Sequence, residues 1–514
     1  MTQGFLPFQY FDEKIEPGLT ALAGLPLYYD MAIASGLPEK IQETMLSKQR
    51  GWTDLQIIMS LILLNIAGGD CVDDIERLEK DDGMRTLMLK VETHGMKSKA
   101  RRAYEKRWRK SNQRAFPSAS AIRRYLEQFH NAEQEQHRND GEAFIPHANT
   151  ALRSLLSLNT TLINFAQQQH VCSTATLDQD ATLSSTNKRS ALYCYKKYKA
   201  YQPLNTYWHE QKMLLSSEFR DGNVPAGFEQ CRNLKVALQQ LPPSVTEVML
   251  RSDSAGYQQD LLSYCAEGKN ERFGVIKFAV SCSVTKAFKK AVSQVSDDAW
   301  QPIFKTLPKG QKMLTDQEWA EVCFVPNWVA HCKNNPHYRY IAIREKLGQQ
   351  ELALDGEEIE SDLPFQTLNM KKQSYKLFGV VTNRDLPGDD LIHWFRERCG
   401  DSEKVHSVQK SELAGGQFPS NLFGANAAWW QIMILSHNLN ALMKSHALPE
   451  ALATKSLKGL RFHLICLPGR VVSHARYLVL KIGGHLSQLK QVCDIRQRII
   501  ALVKGPPMQV VGSN

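Results

Sequence analysis

Thr174-Ala175-Thr176-Leu177-Asp178-Gln179-Asp180-Ala181-Thr182 is the stretch that decides the fold. Its side chains alternate: Ala175, Leu177, Gln179 and Ala181 fall on one face of a strand, and Thr176, Asp178, Asp180 and Thr182 on the other. Asp178 and Asp180 share a face, and Asp180 lies nearer the strand's end. A second apolar run, Val245 to Leu250, leads directly into Arg251-Ser252-Asp253. The Gly256-Tyr257 turn and the spacing of Leu261, Leu262 and Tyr264 then predict a helix. Sheet-and-helix folds place ligand sites just beyond the carboxyl ends of strands. One aspartate there is ordinarily a turn or cap residue, so neither is decisive alone.

The third acidic setting adds the weight. It runs Phe395-Arg396-Glu397-Arg398-Cys399-Gly400-Asp401-Ser402-Glu403, with His406 and Lys410 following. Glu403, His406 and Lys410 are spaced i, i+3, i+7 and share one helix face. With Arg398 they surround a carboxylate with groups suited to phosphates. Magnesium takes oxygen ligands, and a two-metal site needs ions about 3.5–4 Å apart. Asp180, Asp253 and Glu403 are enough to hold such a pair.

These motifs resemble those of the DDE transposases of bacterial insertion sequences (the 1380 group), within the RNase H-like and retroviral-integrase superfamily. The group's last-acid signature is an aromatic, two residues, Arg, three residues, Glu, six residues, Lys. The chain has Phe395, two residues, Arg398, four residues, Glu403, six residues, Lys410. Phe replaces Tyr and one residue is added, so Glu397, Asp401 and Glu412 stay open as alternatives to Glu403, as does Asp178 to Asp180. Asp180-Ala181-Thr182, Tyr198 to Leu204, Leu413 to Gly416, Phe423 to Trp430, Asn438-Leu439 and Leu467 to Arg470 also resemble the group's segments in order. The resemblance implies an α/β fold: an RNase H-like catalytic core, an inserted, mainly β subdomain and a helical N-terminal DNA-binding domain. It implies strand cleavage and strand transfer at terminal inverted repeats with two Mg²⁺ ions, Mn²⁺ substituting. Expected partners are double-stranded DNA, as ends and target, and a second copy in a homodimer on the DNA. A catalytically silent end-binding repressor and an RNase H-fold nuclease without strand transfer are the rival readings.

Composition is that of an ordinary globular protein with a basic balance. Hydrophobic residues make up 43% and charged residues 23% of the 514 residues, as in ordinary globular proteins with a sizeable core. The Leu55–Ala67 run is too short and too interrupted to span a bilayer, and the first residues have no signal-peptide pattern. A cytoplasmic, nucleoid-associated protein without membrane contact is expected. Eleven cysteines without Cys-x-x-Cys pairs argue against zinc fingers and a disulfide framework. The net charge of +10 suits a polyanion. It is concentrated between Lys97 and Arg114, where nine bases face one acid, Glu105, and Tyr104 and Trp108 are interleaved. Arg102 and Arg107 there, with Arg123 and Arg124 on a helix beginning near Ser118 or Ser120, are candidate phosphate contacts.

The organisation expected is a helical N-terminal domain over 1–150 and a first core part over 151–282. An insertion over 283–375, a second core part with the Glu403 helix over 376–450 and a C-terminal segment over 451–514 follow. Strands are expected at 174–182, 192–200, 211–217, near Asp253 and at 273–280, with a helix at 227–240. The 150 residues from Asp253 to Glu403 exceed what a minimal core needs. The insertion is expected to carry strands at 320–325 and 338–344 and a solvated acidic loop at 355–362, with a strand at 375–382 returning to the core. Tyr193, Tyr195, Tyr198, Tyr201 and Tyr207 interleave with Lys188, Arg189, Lys196, Lys197 and Lys199. Sheet packing is expected to take most of the rings. A basic DNA-facing edge is expected to take the cations, Lys196 and Lys199 foremost. Trp429 and Trp430 are expected to pack a core.

Overall fold

In the computed structural model, residues 17–45, 51–93, 96–107, 114–138, 141–306, 311–330, 338–347, 365–370, 373–474 and 477–504 are described. The acidic 355–362 segment, the first 16 residues and Trp108 to Gln113 lie outside them, as do the side chains of Tyr104 to Arg107. The chain forms two compact units. One comprises Glu133–Pro146 and Ile163–Ser407, the other Met1–Ala132, His147–Leu162 and Val408–Asn514.

The first unit is organised by strand β1 (Thr174–Ala181), whose alternation leaves both faces covered. Ala175, Leu177 and Gln179 are fully buried on one face. The Gln179 amide there donates to Asn233 Oδ1 of helix α1 (Gln230–Gln240) at 3.2 Å, so this polar residue has a partner in the core. Strands β2 (Leu204–Trp208), β3 (Met213–Glu218), β4 (Glu247–Ser252) and β5 (Lys277–Ser281) join β1 in the order β3-β2-β1-β4-β5. β2 is antiparallel to β1 and to β3, while β1, β4 and β5 run parallel. Helix α1 spans the crossover from β3 to β4, and helix α2 (Gln259–Ala266) that from β4 to β5, as parallel pairing requires.

The second strand of this series differs from the expected 192–200. That segment is a tight hairpin turning at Lys197, whose φ is +64°, and the strand follows Pro203. Tyr201 and Tyr207 are packed, but Tyr193, Tyr195 and Tyr198 are exposed. Sheet packing therefore does not take most of the rings.

The expected insertion is β-rich yet builds no sheet of its own. Strands β6 (Gln301–Thr306), β7 (Lys312–Val322), β8 (Arg339–Lys346), β9 (Thr367–Met370) and β10 (Gln373–Thr382) extend the core sheet antiparallel from β5, in the order β5-β10-β8-β7-β6, with β9 beside β10. The result is one ten-stranded sheet. Hydrogen bonding explains this: the β5 edge offers unpaired backbone groups, and a neighbouring hairpin satisfies them. Helix α3 (Gly388–Ser407) lays Leu391, Ile392 and Phe395 on Ala279, Ile303, Trp319, Ile341, Ile343 and Val380. At Gly388 a Cβ would stand 2.1 Å from the Trp319 ring, so only glycine admits the helix start there.

The second unit is centred on the Phe423–Leu442 helix, all of whose residues are buried, Trp429 and Trp430 among them. A helix apolar all round must be enclosed, and chain segments far away in sequence enclose it. Asn65 Nδ2 donates to Ser436 Oγ at 3.3 Å, Tyr28 OH to Asn440 Oδ1 at 2.8 Å, and Asn438 Nδ2 to Asn159 Oδ1 at 2.7 Å. The N-terminal helices thus share a core with residues 408–514. The expected boundaries at 150 and 450 do not coincide with this division. A three-stranded sheet in the same unit has Gly469–His474 in the middle, paired with Leu19–Thr20 on one side and Tyr477–Ile482 on the other. Among the described residues no single helix is long and apolar enough to cross a membrane.

Candidate active site

Parallel pairing of β1 with β4 sets Gln179 opposite Ser252. The next residue on each strand is Asp180 and Asp253, so the two carboxylates stand side by side at adjacent carboxyl ends. Asp253 also caps the 3-10 turn Ser254–Gly256, its Oδ1 accepting from the Ala255 N–H at 3.0 Å. Asp180 Oδ2 accepts from Arg398 Nη1 at 3.1 Å. Burial, opposed by the Arg398 guanidinium and reinforced by the Asp253 charge, pushes the Asp180 carboxyl up to about 6.

Asp178 has a different role. Arg251, fully buried on β4, donates Nε to Asp178 Oδ1 at 2.6 Å and Nη2 to Asp178 Oδ2 at 2.9 Å. Its Nη1 also reaches the Trp394 carbonyl at 2.6 Å and Glu397 Oε2 at 3.0 Å, and the guanidinium lies 5.2 Å from the Trp394 ring centroid. Burial raises the Asp178 carboxyl's pKa and the Arg251 pairing opposes the rise. This bidentate pair ties β1 and β4 to α3. The sequence signal for it was an arginine inside an apolar strand, two residues before Asp253. His209 Nδ1 lies 2.8 Å from Asp401 Oδ2 and its Nε2 lies 3.9 Å from Glu397 Oε2, a second link between the sheet side and α3. Neither Arg251 nor His209 was anticipated.

Glu403 lies on α3 and is exposed. It is five residues past Arg398, hence about 140° around the helix from it. Among the described residues no group of three or more His, Cys, Asp and Glu side chains is arranged for a metal. Asp180 and Asp253 are together, and Glu403 is not brought to them. Of its alternatives, Glu397 and Asp401 hold the contacts above, and Glu412 Oε2 accepts from the Leu457 and Lys458 N–H groups at 2.6 and 3.2 Å.

The expected phosphate contacts fare unequally. Arg398 is buried against Asp180, so it serves as that carboxylate's counter-ion rather than an open phosphate site. His406 is half-buried in the last turn of α3, and Lys410 is half-buried in the π-helical Val408–Glu412 segment of the other unit. Lys196 is exposed, and the Lys199 ammonium donates to the Arg189 carbonyl at 2.6 Å. Arg102 is exposed on the Ser98–Arg107 helix, while the Arg107 side chain lies outside the described residues. Arg124 is exposed. Arg123, also exposed, pairs with Asp73. Their helix, Ala119–Glu127, is capped by Ser118 and packs Ile122, Tyr125 and Leu126 inward.

Comparison with known proteins places this arrangement. No curated protein matches the chain in sequence. A cryo-EM structure of the piggyBac transposase synaptic complex with hairpin DNA is similar over 97% of this chain and 90% of that one, at 12% identity and a TM-score of 0.38. A likeness that loose carries no argument about fold or ligand. The model of the family "Transposase DDE domain group 1" matches residues 18–504, nearly the whole chain, and the chain belongs to that family.

Proposed function

We propose that this protein is an insertion-sequence transposase of the 1380 group. It binds the terminal inverted repeats of its element and catalyses metal-dependent strand cleavage and transfer by a cut-and-paste route. The carrying observation is the pair Asp180 and Asp253 at adjacent parallel strand ends, within a chain-long transposase family match. The strand order β3-β2-β1-β4-β5, with β2 alone antiparallel to its neighbours, supports an RNase H-like core.

Two donors fit a divalent metal: Asp180 and Asp253 offer hard carboxylate oxygens at adjacent strand ends. Asp180 and Asp253 would hold Mg²⁺ or Mn²⁺; Glu403 is proposed as the third ligand on its motif position alone, since here it stands apart from the pair. When bound, such ions supply Lewis-acid stabilisation of the attacking and leaving oxygens of the phosphodiester. Arg398 balances the Asp180 charge, and the Arg251–Asp178 pair fixes the strand ends and the helix that carries Arg398 and Glu403. The basic Lys97–Arg114 segment suits phosphate tracking, so end binding falls as salt rises. We place the protein on the nucleoid as a homodimer holding two ends.

Incubation with DNA carrying the inverted repeats that flank the gene, followed by sequencing of the products, tests this reading. Ends cut at the repeat boundary and joined to target DNA support it. Binding without cutting supports the silent repressor, and cutting without joining the nuclease.

A further inference from the structure

The hairpin after β1 is built to present rings. Ser184–Ser185 pairs with Ala200–Tyr201, Tyr193 pairs with Lys199, and Lys197 N–H donates to the Cys194 carbonyl at 2.9 Å. Its base is fixed. Arg138, buried with Asp221, makes two bonds to that carboxylate at 2.7 and 3.0 Å and one to the Ser190 carbonyl at 2.7 Å. Cys194 is buried, and Gly222 beneath the hairpin could take no Cβ, which would lie 2.6 Å from the Ala200 carbonyl oxygen.

The tip is the opposite in character. Tyr193, Tyr195 and Tyr198 are 60%, 73% and 38% exposed. From Leu183 to Lys199 there are five cations and no acid. Lys196 lies 5.7 Å from the Tyr195 ring centroid and Lys199 5.8 Å from that of Tyr193. Lys197 holds a left-handed conformation where glycine would be cheaper. Three rings kept in water on a rigid base, at a strained turn among cations, form an interaction surface. Lysines alone would track any phosphate backbone. Rings gain by stacking only on bases whose faces are open.

We propose that this hairpin binds unstacked DNA bases, with Tyr193 and Tyr195 stacking on them and Lys196 and Lys197 holding the strand's phosphates. Its first paired residue, Ser184, is four residues beyond Asp180, so the strand it binds is one opened beside the cleavage site. This rests on the DNA reading above.

The test uses the full chain, oligothymidylate of about 16 nucleotides, the scale of a single-strand site, and the inverted-repeat duplex. Tyr193→Ala/Tyr195→Ala should weaken oligothymidylate binding roughly tenfold or more, on the scale of base–aromatic stacking. Duplex affinity and melting temperature should stay unchanged. Tyr193→Phe/Tyr195→Phe, which keeps the rings, should bind like wild type. Lys196→Gln/Lys197→Gln should flatten the salt dependence for both DNAs. A double-alanine variant that binds both DNAs like wild type overturns the proposal and leaves the rings to a protein contact, with the DNA reading standing. A wild-type protein that binds neither DNA overturns both.

Discussion

At the residue scale, two aspartates two positions apart on one strand face have unlike environments. Asp178 is neutralised by a fully buried bidentate arginine. Asp180, at the strand end, shares its surroundings with Asp253 and is pushed up to about 6. A raised folded pKa means that the folded state binds more protons than the unfolded one between roughly pH 4 and 6, so stability contributed by this group falls as pH rises through that window. Relative to wild type, Asp180→Asn should therefore be more favourable at pH 7.5 than at pH 4 by about 1–3 kcal/mol, on top of any pH-independent cost of losing the Arg398 ion pair. Denaturant titration at both pH values checks it, and a difference from wild type independent of pH would contradict it. A carboxylate half-protonated near pH 6 must also lose its proton to hold a metal. Calorimetric Mn²⁺ affinity of the wild type should accordingly drop about fourfold from pH 7.5 to 5.5, and that of Asp180→Asn should be weak at both.

At the element scale, α3 is the helix that brings Arg398 to Asp180. It is seated by Phe395 in the sheet core and by Arg251 through Asp178, Glu397 and the Trp394 carbonyl. Removing one partner of a buried ion pair strands the other. Arg251→Ala should cost about 3–5 kcal/mol in a denaturant melt, and a loss under about 1 kcal/mol would mean that the pair is not a clamp. Glu403→Ala should abolish cleavage while Asp401→Ala preserves it, and the reverse result would move the third acid to Asp401. Much of this element was legible: the strand of Asp180, the strand and turn of Asp253 and the helix of Glu403 all follow from period and turn chemistry. The Tyr193–Lys199 hairpin read as a strand because β-rich composition cannot reveal a left-handed Lys197. An arginine following an apolar run marks Arg251 in the sequence, but its partners Asp178 and Glu397 are set only by the three-dimensional fold.

At the scale of the whole molecule, local pattern says least. The strands of 301–322 and 339–346 join the core sheet because an open edge accepts them, which no local signal encodes. The Phe423–Leu442 helix announced burial by its composition but not the N-terminal segments that bury it. A chain ending at Ser407 should therefore lose the cooperative fold of its N-terminal helices, and proteolysis should remove residues 17–132 while sparing 163–407. Protection of both would contradict the shared core. The central claim, a metal-holding pair at Asp180 and Asp253 with Asp178 in a separate structural role, is tested most directly by cleavage of inverted-repeat DNA. Wild type, Asp253→Ala and Asp178→Asn would be compared with Mg²⁺ and with EDTA. Metal-dependent cuts at the repeat boundary should vanish in Asp253→Ala, which still binds the ends, and persist in folded Asp178→Asn. Cuts by Asp253→Ala equal to those of wild type would contradict the claim.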